Sequence, residues 1–547
     1  MQHFYNAADT LIDDVLAGVS ALTDVRIAEP SQHLRILVRA DWDREHHGRD
    51  QVALLSGGGG GHEPAHAGFI GEGMLTGAVV GGLFASPSVD AVLAAIREVC
   101  GAAGCLLIVK NYTGDRLNFG LAAEQARQEG LAVSMVIVGD DIALPDAPQP
   151  RGIAGTLIVH KLAGWLAAQQ MPLETLSERV DAALPRIASL GLALSHAARP
   201  GEAKAPCAPE LGLGIHNESG VRRVDPESAS EAVETLLAPL TEALAARGYA
   251  PPYVALLNNL GGAAEQEMQV LAASLLVNRR GLALSGMIGP AALMTSLDMQ
   301  GFSITLVAAD DDLSQALAAP TDAPAWPGLR TPCAPARFTP QVSETTVPEH
   351  VERDATVETL LRAAIAVLRD SRQALDDLDA RSGDGDAGTS LASGAEAVAR
   401  RLDAGQLESA RPGALFGAIG ACLARDMGGS SGVLLSILFT AAGAELADGD
   451  DLAAALAVGI ERMQRYGGAA QGDRTLLDAL IPAVETLRGG GDLTLAAERA
   501  REGAEATATM AQARAGRSAY LPESALQGVT DPGAEAVARV LQALAEA

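Results

Sequence analysis

The sequence predicts a multidomain protein in which two α/β subdomains precede an all-α region. Three observations support this fold class. Short apolar runs alternate with helical stretches over roughly the first 320 residues, which is typical of α/β folds. A Pro-rich stretch without hydrophobic periodicity follows at 321–350. Beyond residue 351 the strand-like runs disappear, and amphipathic helical patterns follow one another.

The first part of the chain reads as two successive α/β segments. Apolar runs in the first segment predict buried strands at 52–56, 105–111 and 133–140. A helix is expected at 117–129, and this alternation favours a largely parallel sheet. The second segment has candidate strands at 211–216, 253–260 and 302–309. Helices are expected between them at 228–247 and 263–279.

Composition divides the chain into three parts. We expect 1–330 to form one domain of two subdomains with a break near 190–210. We expect 331–350 to be a linker, because Pro-rich segments are stiff and do not fit inside sheets or helices. The remainder, 351–547, is predicted to form helices at 355–378, 388–404, 412–424, 431–446, 451–466, 473–488, 493–513 and 533–546.

The composition argues against several classes of protein. Among 547 residues, 40 Lys and Arg stand against 68 Asp and Glu, which gives a net charge of −28. This acidity disfavours nucleic-acid binding and anionic membrane surfaces. The five cysteines suit neither a disulfide framework nor a CxxC zinc site. The start of the chain lacks a signal-peptide pattern, and the longest apolar run, 432–446, contains Glu445, so we expect a soluble, cytoplasmic protein.

Three segments at predicted strand ends carry residues suited to ligand chemistry. Consecutive glycines at 57–61 allow backbone N–H groups to approach a ligand closely, although a flexible tight connection is the alternative. Lys110 could hold a phosphate or polar substrate and Asp115 could accept a hydroxyl proton, unless this is only a solvated loop with a helix cap. His216 could be a nucleophile or base, although an isolated histidine is more often structural.

The sharpest local pattern is acidic. Asp379, Asp384 and Asp386 lie within eight positions, among glycines that let the chain fold around an ion. Mg²⁺ prefers such carboxylate oxygens, and the spacing lacks the last acidic ligand of an EF-hand. A solvated acidic turn is the alternative, but crowded carboxylates repel one another without a cation. Candidate phosphate sites, or simple helix caps, are the helix starts at 428–432, 472–475 and 531–533.

Together these segments resemble the dihydroxyacetone kinase family in its ATP-dependent single-chain form. The resemblance covers nearly the whole chain through many long motifs in the right order. The first part matches in GGGGGHEPAHAGFIGEGML, FASPS, VKNYTGDRLNF, RGIAGTLIVHKLAG, GLGIHNESG, LLNNLGG and TSLDMQGFSITL. The helical part matches in SGDGDAG, GGSSG, GDRTLLDAL, GRSAYL and DPGA.

The resemblance implies both a fold and a set of roles. It implies two α/β subdomains for a ketose substrate and a barrel of eight antiparallel helices for ATP. His216 would form a covalent hemiaminal with the ketose carbonyl, Asp115 would be the general base, and His62 would complete the catalytic set. The substrate hydroxyls would be held by Gly59, Gly60, Gly61, His62, Lys110 and Asp115.

The resemblance also implies the nucleotide site and the assembly. Asp379, Asp384 and Asp386 would bind two Mg²⁺ ions that grip the ATP phosphates, which suits the charge neutralisation that phosphoryl transfer requires. A homodimer is implied, in which the helical domain of one chain serves the substrate site of the other. The nucleotide would be lined by Ala387, Gly388, Thr389, Ser390, Ser430, Ser431, Gly467, Thr475, Leu476, Arg517, Asp531, Pro532 and Gly533.

Departures from the family pattern bear on the substrate. Gly60 stands where the family commonly has serine, and Ala387 replaces a more usual Cys or His. After His216, Asn217-Glu218-Ser219 replaces the usual Gly-Glu-Pro. Because Asn217 lies beside the covalent histidine, a ketose other than dihydroxyacetone is considered, with four-carbon erythrulose as the leading variant.

Two other functions are weighed against this one. A phosphoenolpyruvate-fed phosphotransferase, in which a phosphotransfer protein recharges a bound nucleotide, normally has its two parts on separate chains. Their fusion across 321–350 disfavours it. A non-catalytic regulator that senses a ketose need not keep a Mg²⁺ site, so the three aspartates disfavour that reading.

Overall fold

The computed structural model describes residues 4–29, 34–144, 149–202, 206–277, 282–341, 351–449 and 451–547. The chain divides into two units, 1–337 and 338–547. Of the predicted linker, 331–341 runs without helix or strand, and 342–350 lies outside the described residues.

The first sheet of unit 1 is parallel at its centre and antiparallel at one edge. Its strands follow the order β1-β2-β4-β3-β5-β6 in the sheet, with bounds β1 (Val25–Ile27), β2 (Ile36–Arg39), β3 (Ala53–Gly60), β4 (Gly77–Leu83), β5 (Cys105–Lys110) and β6 (Val133–Val138). The four strands from β4 to β6 are parallel, as predicted, whereas β1 and β2 pair antiparallel. The helices of this part are α1 (Leu11–Leu22), α2 (His47–Asp50), α3 (Val89–Val99) and α4 (Thr113–Gln128).

The second sheet is mainly antiparallel. The chain reaches it through α5 (Thr156–Ala168) and α6 (Leu173–Ala183). Its strands are β7 (Ile187–Ser195), β8 (Pro206–Leu211), β9 (Arg222–Arg223), β10 (Tyr253–Asn259), β11 (Leu284–Ala292), β12 (Gly301–Val307) and β13 (Leu329–Arg330). They lie in the order β13-β11-β10-β12-β7-β8-β9, and β10 and β11 are the parallel pair. The helices that follow β7 are α7 (Ala229–Ala246), α8 (Glu265–Val277) and α9 (Asp311–Ala318).

A shared core joins the two sheets. Leu54 and Ile108 of the first sheet pack in one cluster with Leu157 of α5 and with Leu256 and Val307 of the second sheet. The opposite faces are covered separately, by α3 and α4 on the first sheet and by α7 and α8 on the second. Loops from both subdomains therefore meet beside this common layer.

Unit 2 is a closed ring of helices. Its helices are α10 (Ala355–Asp370), α11 (Arg372–Ser382), α12 (Ala387–Asp403), α13 (Pro412–Asp426), α14 (Gly429–Asp448), α15 (Leu452–Gly467), α16 (Leu477–Arg488), α17 (Leu493–Thr507), α18 (Glu523–Leu526) and α19 (Pro532–Glu546). From α12 to α17 each helix packs against the next, then α17 contacts α19, α19 contacts α10, and α10 contacts α12. Within the described residues this closes an eight-helix barrel, which confirms the predicted fold class.

Several predicted elements were wrong in detail, among them the helices expected at 473–488 and 493–513, which run over Leu477–Arg488 and Leu493–Thr507. The expected strand 211–216 ends at Leu211, because Gly212 takes a left-handed conformation with φ of +74° and a turn follows. The glycines at 57–60 continue β3 instead of leaving it as a loop. The expected helix 355–378 is divided at Ser371 into α10 and α11.

Helix α14 is unusually apolar. By length and composition alone, its segment 429–447 could cross a membrane, with a mean hydropathy of 1.5. Leu434, Leu435 and Leu438 of this helix line the cavity inside the barrel. Of this segment 22% is buried, and one helix that passes a length and hydropathy test does not by itself define a membrane span.

Candidate active site

The glycine run lies where β3 ends and packs tightly against its neighbours. A Cβ on Gly59 would lie 2.7 Å from the backbone nitrogen of Ala85, so this close approach requires glycine. A Cβ on Gly60 would lie 2.3 Å from Cδ1 of Ile12, which occupies the space that a family serine would need. The N–H of Gly61 donates to the glutamate two positions later, at 3.0 Å.

His62 is fully buried and reaches the second subdomain. Its Nδ1 lies 2.8 Å from the carbonyl oxygen of Thr295, and its Nε2 lies 3.0 Å from Nε2 of His216. Burial lowers the pKa of His62 well below its ordinary value, and the positive charge of Lys110 adds to this shift. The His62 ring therefore favours the neutral form.

His216 lies in the turn after β8. The fold brings it next to His62, which is 154 positions away in the sequence. Aromatic rings surround it, with centroid distances of 4.7 Å to His62, 4.5 Å to Tyr112 and 5.6 Å to Phe84. The imidazole is thus held on several sides, in a part of the site that both subdomains build.

Lys110 ends β5 and is fully buried. Its Nζ has no hydrogen-bond partner among the described residues. A Cβ on Gly58 would lie 3.1 Å from this Nζ and 3.5 Å from Oδ2 of Asp115, so the ammonium and the carboxylate face the same glycine. Burial lowers the pKa of Lys110, whereas the charges of Asp115 and Glu218 oppose the shift. An unpartnered buried ammonium beside a carboxylate suits a ligand that carries hydroxyl groups.

Sequence reasoning missed the groups that hold the His216 loop. Oε2 of Glu218 accepts a hydrogen bond from the backbone nitrogen of His216 at 2.9 Å, and Oε1 lies 3.4 Å from its Nδ1. Burial alone would raise the pKa of Glu218, but His216 and backbone donors outweigh it and hold the pKa at about 2. Arg151 bonds both Asp141, at 2.8 Å, and the carbonyl of Gly212, at 2.8 Å. Glu218 lies in the same GLGIHNESG motif as His216, but its contacts to His216 are visible only in the fold, and Arg151 and Asp141 are distant from this loop in sequence.

Asn217 is bonded to the backbone and is not turned towards the imidazole. Its Oδ1 accepts from the nitrogen of Ala197 and its Nδ2 donates to the carbonyl of Ala197, both at 2.9 Å. Its φ is +65°, in the left-handed region that asparagine and glycine tolerate best. The change from the family's glycine therefore keeps the turn, with the Asn217 side chain bonded to the backbone of Ala197.

Replacing Asn217 with glycine is accordingly expected to leave ketose selectivity unchanged. The variant loses two side-chain hydrogen bonds and gains freedom in the unfolded chain, so its free energy of unfolding should fall by roughly 1–2 kcal/mol. The measurements are kcat/KM for dihydroxyacetone against erythrulose, and urea unfolding. A several-fold change in the ratio of the two kcat/KM values would show that Asn217 contributes to ketose selectivity.

The three acidic residues converge in unit 2. One carboxylate oxygen from each of Asp379, Asp384 and Asp386 lies within 4.8 Å of the others. Oδ2 of Asp379 accepts backbone N–H bonds from Gly385 at 2.9 Å and from Asp386 at 3.0 Å, and so folds the turn between α11 and α12. Asp384 and Asp386 are exposed. This set of hard oxygen donors with open positions fits Mg²⁺.

Most of the predicted nucleotide residues line one cavity of about 1110 Å³ inside the helical ring. The N-terminus of α14 has no side-chain cap, so its N–H groups remain available to an anion. Asp531 caps α19, and burial raises its pKa to about 6. Besides the three acidic residues, the lining includes Ala387, Ser390, Ser430, Ser431, Gly467, Thr475, Leu476, Asp531, Pro532 and Gly533.

Among the described side chains and backbone, Gly388 and Thr389 do not line this cavity. The backbone nitrogen and the hydroxyl of Thr389 both donate to the carboxylate of Asp376, at 2.8 Å each. Gly388 packs against α11, where a Cβ would lie 2.0 Å from the carbonyl oxygen of Arg372. Arg517 begins a short 3-10 helix, but its side chain lies outside the described residues.

Comparison with known proteins agrees with this division of the chain. Residues 20–325 match the Dak1 domain, and residues 381–546 match the DAK2 domain. The chain is 44% identical to a dihydroxyacetone kinase of Citrobacter freundii, with 100% of this chain and 99% of the relative covered. It is 39% identical to a triokinase/FMN cyclase of Bos taurus, with 99% and 98% covered.

A solved structure extends the match to three dimensions. The crystal structure of the C. freundii dihydroxyacetone kinase in complex with AMP-PNP and Mg²⁺ superimposes with a TM-score of 0.85 at 42% identity, covering 100% of this chain and 99% of the other. Fold and sites thus define an ATP-dependent kinase that joins a Dak1 and a DAK2 domain in one chain. This chain belongs to the dihydroxyacetone kinase family, as its motifs predicted.

Proposed function

We propose that this chain transfers the γ-phosphoryl group of ATP to a hydroxyl of a short-chain ketose, either dihydroxyacetone or a close relative such as erythrulose. The observation that carries the proposal is the 3.0 Å contact between the imidazoles of His62 and His216, beside the buried Lys110 and Asp115. The identity to the C. freundii kinase supports the substrate class. An ATP-consuming sugar kinase is expected to work in the cytoplasm.

His216 would capture the ketose covalently. A neutral imidazole nitrogen is a nucleophile, and a hemiaminal fixes the substrate so that its hydroxyl is oriented for transfer. Asp115 would accept the proton of the attacking hydroxyl, while Lys110 and the backbone at Gly59–Gly61 hold the others. A polyol lacks the carbonyl, so this capture would exclude glycerol.

The acidic turn would hold the metal. Asp379, Asp384 and Asp386 would bind two Mg²⁺ ions, which neutralise phosphate charge when bound. The uncapped start of α14 at Ser430 and Ser431 would donate N–H groups to the phosphates. The AMP-PNP and Mg²⁺ in the C. freundii structure support this assignment.

We also propose a homodimer in which the helical unit of one chain serves the ketose site of the other. The two sets of candidate residues lie in separate units, which allows transfer between chains. Mixing His216→Ala with Asp386→Asn enzyme under conditions of subunit exchange tests this. If the helical unit of each chain acts on the ketose site of the other, the mixture should recover about a quarter of wild-type turnover. If phosphoryl transfer occurs only within one chain, the mixture should recover no turnover.

A substrate panel tests the proposed activity. The enzyme should phosphorylate dihydroxyacetone with Mg-ATP as the only donor and should not phosphorylate glycerol; erythrulose and glyceraldehyde complete the panel. A phosphoenolpyruvate-fed enzyme would stop after about one turnover per bound nucleotide, and a ketose-sensing regulator would bind the ketose without turnover. Either result would overturn the proposal.

A further inference from the structure

We infer that Glu218 is a positioning residue that keeps the proton of His216 on Nδ1, so that Nε2 is the atom that attacks the ketose. The inference rests on the proposed covalent capture and adds a requirement that neither the motif nor the family match assigns. It follows from two contacts of Glu218, to the backbone nitrogen of His216 at 2.9 Å and to its Nδ1 at 3.4 Å.

The acceptors around the two imidazoles determine where the protons lie. A carbonyl oxygen only accepts hydrogen bonds, so Nδ1 of His62, which faces Thr295, carries a proton. An ionised carboxylate also only accepts, so Nδ1 of His216, which faces Glu218, carries one too. The 3.0 Å contact between the two Nε2 atoms then needs one more proton. The pair therefore carries a single positive charge, and the carboxylate of Glu218 balances it.

This arrangement supplies the proton that hemiaminal formation consumes. When the ketose enters, the proton between the two Nε2 atoms is transferred to His62, which holds it only until the new alkoxide takes it, because burial lowers the pKa of the His62 ring. The Nε2 lone pair of His216 forms the bond to the carbonyl carbon, and the C=O π pair moves to oxygen, which takes the proton from His62. The positive charge then resides on the substituted His216 ring, whose Nδ1–H still faces Glu218. The number of charges in the site is unchanged.

Other charges near the adduct make this balance necessary. Lys110 is buried close enough for its charge to interact with Glu218, and Arg151 interacts with the same carboxylate. Cations on two sides would oppose an imidazolium without a carboxylate in contact with it. The remaining titratable groups that face this part of the site are Glu63, Tyr112, Asp115, Asp140 and Asp141.

Glu218→Gln is the decisive variant. The glutamine oxygen can still accept from the backbone nitrogen of His216, which preserves the loop, whereas its amide would donate to Nδ1. Donation to Nδ1 imposes the opposite tautomer, with the proton on the attacking Nε2. Glu210→Gln is the matched control, since Glu210 accepts from Gly220 of the same loop at 3.0 Å but is not bonded to the imidazole.

The tautomer can be read directly from ¹⁵N NMR spectra of the full-length enzyme labelled in its histidines, with the His216 signals assigned by loss in His216→Gln. We expect a protonated Nδ1 in wild type and in Glu210→Gln, and an unprotonated Nδ1 in Glu218→Gln. The inference is overturned if Nδ1 is unprotonated in wild type or protonated in Glu218→Gln. This readout does not depend on turnover.

Ketose affinity separates failure of this inference from failure of the proposed function. In calorimetry, Glu218→Gln should weaken dihydroxyacetone binding by about 100-fold and leave Mg-ATP binding unchanged. In steady-state kinetics, the loss should appear in KM more than in kcat. The dihydroxyacetone affinity of Glu210→Gln should stay within about threefold of the wild-type value. If His216→Ala weakens binding and Glu218→Gln does not, the role of Glu218 is wrong. If neither variant weakens binding, covalent capture itself is wrong.

Discussion

Asp384→Asn or Asp386→Asn is expected to lower kcat by about 100-fold or more, while dihydroxyacetone affinity stays unchanged. The two exposed carboxylates share one site with Asp379, so the loss of either charge weakens metal binding and leaves phosphate charge uncompensated. Steady-state turnover across a Mg²⁺ titration gives kcat, and calorimetry without nucleotide gives the ketose affinity. The residues proposed for ketose binding lie in the other unit, so the ketose affinity should not respond.

Asp377→Asn is the matched control for these variants. Asp377 is an exposed carboxylate on α11, where it accepts a hydrogen bond from Gln373 at 2.9 Å, and it does not belong to the acidic cluster. It should keep wild-type turnover. Thermal unfolding of all three variants should be similar to wild type. Near-normal kcat in Asp384→Asn or Asp386→Asn at saturating Mg²⁺ would remove the metal assignment.

His216→Ala is expected to weaken dihydroxyacetone binding by about 100-fold and to shrink the preference for ketose over glycerol. The variant would lose the proposed nucleophile, so the ketose would be held by hydrogen bonds that glycerol can also make. Mg-ATP affinity should be unchanged, because its candidate residues lie in unit 2. Binding of ketose, glycerol and Mg-ATP to the same preparation supplies all three comparisons.

An exposed histidine provides the control for this change. His46 lies on the surface before α2, and His46→Ala should bind dihydroxyacetone as the wild type does. If His216→Ala keeps wild-type affinity and selectivity, His216 is a structural histidine and the substrate is held without a covalent bond.

Much of the fold was predictable because its signals are local. Apolar runs identified β3, β5, β6, β10 and β12, and amphipathic periodicity identified the helices of the ring. Other strands were not predicted: the short β1, β9 and β13, whose pairing depends on distant partners, and also the longer apolar β4, β7 and β11. The turn after β8 was mistaken for a strand because Leu213 and Ile215 are apolar and buried, yet they pack as loop residues in the shared core.

The site was predictable where one motif holds the chemistry. The acidic turn is such a case, since Asp379, Asp384 and Asp386 are close in sequence and converge as expected. The contacts from which we infer a role for Glu218 required the fold, because the motif pattern does not show them. Thr389, which the family resemblance implies for the nucleotide site, donates its N–H and hydroxyl to Asp376, a contact that only the folded chain shows.

Covalent capture at His216 is the central claim, and one spectrum tests it most directly. Dihydroxyacetone labelled with ¹³C at its carbonyl carbon is bound, without ATP, to enzyme labelled with ¹⁵N in its histidines. Covalent capture predicts a protein-bound tetrahedral carbon with a one-bond coupling to a histidine nitrogen, and its disappearance in His216→Ala. A saturated wild-type enzyme whose bound ketose keeps a trigonal carbonyl carbon, with no coupling to nitrogen, would contradict it.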